Sequence, residues 1–454
     1  MKRIILCFDG TWNAVMDPKT VTNVVRIANL LTVSGDDGIN QVTYYNSGVG
    51  SGGFIDRFIG GAFGAGLKAN VKRGIAFLAL NYEDGDEIYL FGFSRGAYTA
   101  RAVGGVIGAA GIPLDISETE EHWQRYQKLA KLKYHAGRYA DGSKGRAKYK
   151  EEIEKATKAV GEISRYKGDE VPIRCVGVWD TVGAYGIPSG FANGLFPRFL
   201  TYWTHGFRDT RIGAKVQLGL HAVAIDEMRK PFAPTFWTLR TDRPLPEAQA
   251  VEQVWFPGVH SNIGGGYDST GLSDLALAWM IGRVNEKTGL QFNEDDVMTN
   301  VWPCTADTLY RSATRPAFMR ARDVLPGAFP LVRSRLRRLR RWWKGQDTKV
   351  AIQRVNEKLH WSVPERCQWD VTLVDGLGQR KYAPANLTPN AKDVAPITRM
   401  EAKLLQRVRP RSARPDLKPP PPLCPLAGAG HECQCAKRGA LAAGADAPQA
   451  SVAA

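Results

Sequence analysis

An α/β fold on a doubly wound, mostly parallel sheet is what this sequence predicts, and three observations predict it. Apolar runs of strand length stop abruptly at loop residues, helix-length segments separate them, and the two alternate from the first residues onward. With 454 residues and an apolar fraction of 44%, the chain can bury a core for one large domain with insertions, or for two ordinary ones.

The elements follow in order. Residues 3–8 (Arg-Ile-Ile-Leu-Cys-Phe) are a continuous apolar run that ends at Asp9-Gly10-Thr11, the pattern of a buried parallel strand running into a loop. A helix is expected around 21–32, a strand over Val42-Thr43-Tyr44-Tyr45, and a helix near 65–81 after a glycine-rich stretch. Residues 86–93 read as a central strand, and 95–110 as a small-residue helix closed by Gly111 and Pro113. Residues 119–168, rich in Lys, Glu, Arg, Tyr and Ala, are expected to form a helical insertion over the sheet's edge or a lid, and the sheet resumes over 171–179. We place the sheet-bearing core in 1–290, a helical cap in 291–407, and a disordered tail in 408–454, where Pro, Ala and Gly dominate.

Charge and cysteine usage narrow the classes of partner. The net charge of +16 is concentrated: Arg333, Arg335, Arg337, Arg338, Arg340, Arg341 and Lys344 crowd one segment that also holds Trp342 and Trp343. A solvated helix face is the plain reading; the functional one is contact with an anionic membrane surface, with nucleic acid the less favoured partner. Cys7, Cys175, Cys304 and Cys367 lie singly in mostly apolar surroundings, which suggests reduced thiols and a cytosolic start. The segment before the first strand is too short for a signal peptide, and no run approaches the roughly 18 apolar residues of a membrane span. Export would therefore use a signal-peptide-independent route, with peripheral membrane attachment. Cys424, His431, Cys433 and Cys435 match no standard zinc spacing.

Gly92-Phe93-Ser94-Arg95-Gly96 is a G-x-S-x-G pentapeptide with a strand before it and a helix after it, as a nucleophile elbow requires. Side chains at Gly92 or Gly96 would collide with neighbouring backbone, and the helix N-terminus favours a developing oxyanion. Ser94 needs a base. His122 and His135 sit in the charged insertion, His205 in an aromatic stretch, His221 in an apolar run that suggests a satisfied core histidine, and His431 in the tail. His260 instead follows the strand-like Val254-Trp255-Phe256 and opens a glycine-rich loop, with His360 as runner-up. The acid should lie between serine and histidine in the chain. Asp180, ending Val176-Gly177-Val178-Trp179, meets that requirement; Asp226 is the alternative, or else the ion-pair partner of Arg229. The oxyanion hole is expected from the N–H of Arg95 and that of Gly10 or Thr11. An aspartate-based phosphatase would need D-x-D-G-T, and position 7 is Cys7. This chemistry, that of the α/β-hydrolase type, calls for no metal and no cofactor.

Phe8-Asp9-Gly10-Thr11-Trp12-Asn13, Gly92-Phe93-Ser94-Arg95-Gly96-Ala97, Trp179-Asp180-Thr181-Val182 and Phe256-Pro257-Gly258-Val259-His260-Ser261 together resemble the domain-of-unknown-function 2235 family, as do Ala224-Ile225-Asp226-Glu227-Met228-Arg229 and Gly271-Leu272-Ser273-Asp274. The resemblance covers most of 1–285. It implies an α/β-hydrolase fold, a Ser94–Asp180–His260 triad and, in those members that are type VI secretion effectors, phospholipid deacylation. Partners implied are a phospholipid or other lipid ester, and secretion machinery or an immunity protein. Asn262 departs from the aspartate often found there. The competing class is a non-enzymatic module with a degenerate hydrolase core, binding membrane or nucleic acid through the arginine cluster.

Overall fold

In a computed structural model of the full chain, the structure describes residues 1–10, 21–48, 62–113, 120–167, 170–182, 211–310 (apart from 214, 230, 231 and 243), 352–367, 370–372, 379–382, 384 and 393–406. The strands are β1 (Arg3–Phe8), β2 (Gln41–Asn46), β3 (Glu87–Phe93), β4 (Ile112–Pro113), β5 (Ser164–Tyr166), β6 (Ile173–Trp179), β7 (Val216–Ala224), β8 (Thr238–Arg240), β9 (Ala250–Phe256), β10 (Ile352–Arg354), β11 (Glu357–Leu359), β12 (Asp370–Thr372) and β13 (Gln379–Lys381). Seven of them form one sheet in the order β11-β9-β7-β6-β3-β1-β2, with every neighbouring pair parallel. This is the α/β architecture expected. Because β2 lies on one side of β1 and β3 on the other, the winding reverses between β1 and β3. At such a switch point the loops leave in opposite directions and open a crevice at the strands' C-terminal ends.

Alternation along the strands builds two apolar layers. Ile4, Leu6 and Phe8 of β1 join Ile88 and Leu90 of β3 under one layer of helices, while Ile5, Cys7, Tyr89, Phe91 and Phe93 face the other. The first face is covered by helices Ala62–Asn81 and Arg95–Ala110 and by Glu120–Ala136 of the insertion, whose Trp123, Tyr126 and Leu129 are buried there. The other face receives helix Gly271–Thr288, apolar and buried along most of its length from Leu272 to Val284 and ended by Gly289 in the left-handed region at φ 75°. Buried Asn23 donates to the carbonyls of Ile263 and Ser273, and Arg26 pairs with buried Asp274, so the first helix, Asn23–Leu30, is bound to that layer.

The stretch expected to be a helical cap contributes differently. Residues 357–359 are the edge strand β11, parallel to β9, and helix Arg399–Gln406 packs on Gly271–Thr288. The edge strand was missed because three residues are too few for any period to register. The basic segment around Arg337, Arg338, Arg340, Arg341, Trp342 and Trp343 lies outside the described residues, as do Thr11, His205 and the tail from 407. Among the described residues no helix is long and apolar enough to cross a membrane.

Candidate active site

Ser94 follows β3 directly and is the N-cap of helix Arg95–Ala110, at φ 57° and ψ −116°. This is a strained backbone for a residue with a side chain, and it tips the hydroxyl out of the sheet at the helix N-terminus. The two glycines permit it. A Cβ on Gly92 would run into the backbone of Gly96 and Ala97, and one on Gly96 would overlap the carbonyl oxygen of Phe8. Main-chain bonds hold the turn on the neighbouring strand: Ser94 N–H donates to Trp179 O (3.1 Å), and Val182 N–H donates to Ser94 O (3.4 Å).

Asp180 ends β6, which pairs with β3, so the shared register brings it beside Ser94. It too has positive φ, 35°, and is fully buried. Its N–H donates to Ala222 O (2.7 Å), and its Oδ1 accepts from Ala224 N–H (3.1 Å). Oδ2 is left for His260 Nδ1 at 2.7 Å, and His260 Nε2 lies 2.8 Å from Ser94 Oγ. A carboxylate on Nδ1 fixes the tautomer that leaves Nε2 unprotonated toward the hydroxyl. The structure therefore brings together all three residues singled out as the triad. Ser94 and His260 keep 8% and 5% of their surface, whereas Asp180 keeps none.

His260 comes from the turn after β9 and starts the short helix His260–Gly264. Gly258, at φ 127°, makes that turn. The imidazole is held between two rings, Phe93 at 4.6 Å and Phe232 at 4.8 Å between centroids. Its backbone N–H donates to Glu227 Oε2 (3.3 Å). Asn262 Oδ1 accepts from Val259 N–H at 3.2 Å, so this amide serves as a cap within the turn.

The remaining candidates separate cleanly. His221 is buried: its Nε2 accepts from Thr181 N–H (3.1 Å) and its Nδ1 meets Gln253 Oε1 (3.3 Å), so it holds the turn that carries Asp180. Burial, seconded by the charge of Arg101, pulls its pKa down to about 3. Asp226 is not the partner of Arg229. It accepts from Gly258 N–H and Tyr382 OH, both at 2.7 Å, and desolvation raises its pKa. Arg229 is held by Glu227, whose carboxylate takes its Nε at 2.9 Å and its Nη2 at 2.8 Å, because a buried strand-end carboxylate one residue further on points back toward the imidazole turn. His360 is wholly buried and bonded to Ser362 and Glu401.

Of the oxyanion donors, Gly10 ends at the same switch-point crevice, and a Cβ on it would come within 3.7 Å of Ser94 Cβ. Its N–H, however, donates to Asp9 Oδ1 at 2.6 Å. Arg95 is the first residue of the elbow helix, and burial lowers its side-chain pKa to about 10. Asp9 was not among the site residues read from sequence. It is buried and its Oδ2 accepts the hydroxyls of Thr22 (2.7 Å) and Tyr45 (2.8 Å), fixing the loop after β1. The signal that could have found it is the one that found Asp180: an acid closing an apolar strand. No group of three or more metal-ligating side chains occurs among the described residues.

Comparison with known proteins shows the family. A family model described as "T6SS, Phospholipase effector Tle1-like, catalytic domain" matches residues 2–283, a span that holds Ser94, Asp180 and His260. The chain is 30% identical over 256 residues to the uncharacterized protein YEL023C of Saccharomyces cerevisiae, covering 52% of this chain and 33% of that one. Two solved structures, both 19% identical, overlap in part. One is an uncharacterized protein from Pseudomonas aeruginosa (TM-score 0.39, 65% of this chain and 47% of that one). The other is the Tle1 effector bound to the VgrG spike of the type VI secretion system (TM-score 0.31, 59% and 52%). The chain thus spans about a third of the yeast relative and about half of each solved chain.

Proposed function

Because the chain belongs to the type VI secretion family of Tle1-like phospholipase effectors, we propose that it is a serine-dependent carboxylic ester hydrolase acting on membrane phospholipids. The observation that carries this reading is the unbroken chain Ser94 Oγ, His260 Nε2, His260 Nδ1, Asp180 Oδ2, at 2.8 and 2.7 Å, set at strand ends beside a helix N-terminus. Ser94 Oγ attacks the acyl carbonyl as its proton passes to His260 Nε2, and Asp180 stabilises the imidazolium. The tetrahedral oxyanion is received by the Arg95 N–H and a donor from the turn after β1. The N–H of Gly10 already donates to Asp9 Oδ1 and can serve only by releasing it; Thr11, the alternative read from the sequence, lies outside the described residues. His260 then returns the proton to the departing lysophospholipid oxygen, and water, activated by the same imidazole, frees the fatty acid and regenerates Ser94.

Export by a type VI apparatus, in association with a spike protein, is part of the same proposal, as is anchorage of the segment around Arg337, Arg338, Arg340, Arg341, Trp342 and Trp343 on anionic lipid. A fluorophosphonate probe should label the wild type and leave Ser94→Ala unlabelled, and mass spectrometry of mixed phospholipids should show free fatty acid only with the wild type. Equal labelling of both proteins removes Ser94 as nucleophile. Intact lipid after wild-type treatment removes the phospholipase assignment.

A further inference from the structure

We infer that Arg229 is a specificity residue of this site, a guanidinium set to take the phosphodiester of the substrate; the inference rests on the phospholipase reading above. Glu227 is fully buried and grips Arg229 fork to fork, with Nε on Oε1 at 2.9 Å and Nη2 on Oε2 at 2.8 Å, while the Arg229 backbone N–H also donates to Oε1 at 2.9 Å. The guanidinium lies flat on Phe232, Cζ 3.8 Å from the ring centroid. Phe232 in turn meets the imidazole of His260 edge-on at 4.8 Å. The cation therefore sits one aromatic ring away from the catalytic base, a separation that a glycerol unit bridges between an ester carbonyl and a phosphorus.

Three properties make this arginine a receiver of phosphate and more than a strut. Its fork to Glu227 uses two of the five guanidinium hydrogens. The side chain keeps 22% of its surface, and Nη1 has no hydrogen-bond partner among the described residues. Stacking and bidentate pairing have already ordered the side chain, which lowers the entropy cost of engaging a ligand. Guanidinium is also the weakly hydrated, planar donor that matches phosphate geometry. Since Glu227 offsets the charge, recognition works through directed N–H donors at short range. It favours a phosphate delivered by an ester already seated at Ser94 over a free anion.

The experiment compares kcat/KM on monomeric dihexanoylphosphatidylcholine and on p-nitrophenyl butyrate, which lacks phosphate, for wild type, Arg229→Met and Arg229→Lys. One charge-assisted bond corresponds to about a ten- to hundredfold change. Arg229→Met should therefore lose at least about tenfold more on the phospholipid than on the neutral ester, and Arg229→Lys should recover part of that gap. Equal losses on both substrates overturn the inference, since they would show Arg229 acting only through Glu227 and the turn of His260. If Arg229→Met fails to fold, the same ratio in Arg229→Lys decides, because lysine keeps the charge without the fork. A wild type that cleaves the butyrate and not the phospholipid takes down the phospholipase reading together with this one; unchanged ratios in an enzyme that cleaves both remove Arg229 alone.

Discussion

Among the described residues, two serine–histidine–carboxylate clusters have nearly the same distances. Ser94, His260 and Asp180 are linked at 2.8 and 2.7 Å; Ser362, His360 and Glu401 are linked at 2.6 and 2.7 Å. Distance alone cannot tell them apart. What differs is ring orientation, backbone and access: His360 turns Nδ1 to its serine and Nε2 to its carboxylate, the reverse of His260. Ser94 stands at a left-handed φ at the head of a 16-residue helix and keeps some surface, whereas Ser362 begins a five-residue turn of helix with no exposure at all. Glu401 is further saturated by Trp361 Nε1 (2.9 Å) and Thr398 N–H (2.8 Å), and His360 is stacked on Phe256 at 4.2 Å. The second cluster ties helix Arg399–Gln406 to the edge of the sheet, so it belongs to folding. A triad is recognised by how its serine is presented, with separations second.

Mutations should pull the two clusters apart in opposite currencies of effect. The largest expected change is in rate: Asp180→Asn leaves the imidazole in the wrong tautomer and should lower kcat by roughly 10⁴-fold, measured by steady-state ester hydrolysis. Glu401→Gln weakens the charge-assisted hydrogen bonds from His360, Trp361 and Thr398 and should instead cost about 1.5–3 kcal/mol of unfolding free energy, read by chemical denaturation, while kcat per folded molecule stays near wild type. A large kcat loss in Glu401→Gln would erase the distinction.

Acid should sharpen it. Burial lowers the pKa of His360 below its usual 6.5 and takes His221 to about 3. In the unfolded chain both bind a proton near pH 6.5, so the unfolded state holds more protons below that pH and stability falls as pH drops from about 6.5. The denaturation midpoint should decline between pH 7 and 4, and His360→Gln and His221→Gln should each flatten the decline. The smallest expected change is a gain. Gly105 is an exposed helical glycine with nothing within 4 Å of an added Cβ, so Gly105→Ala should stabilise by about 0.5–1 kcal/mol; Gly96→Ala, in the same helix, should unfold the elbow.

Much of this was legible in the sequence because most of the candidate site residues obey a local rule: Ser94 and Asp180 directly follow a strand, and Gly10 comes two residues after one. Ser94, Asp180 and Gly10 were readable as apolar runs stopping at one special residue, and the parallel sheet followed from the same runs. His260 was separable from His360 by its glycine-rich turn. What stayed illegible depends on contacts remote in the chain. Glu227 gave no sign that it, instead of Asp226, would hold Arg229, since adjacent acids at a strand end exchange faces with a slight change of twist. The role of His221 required Thr181 from the turn after β6 and Gln253 from β9, and β11 was too brief to have a period.

The main chain of Ser94 is stitched to Trp179 and Val182 on either side of the acid, whereas His260 reaches the pair from a separate turn. Nucleophile and acid thus share one stiff frame and can part only if the sheet comes undone. That turn is fastened in its own right, by Asp226 N–H on Gly258 O (3.0 Å) and Gly258 N–H on Asp226 Oδ2 (2.7 Å), so the base and the nucleophile–acid pair are anchored on two separate seams of the sheet.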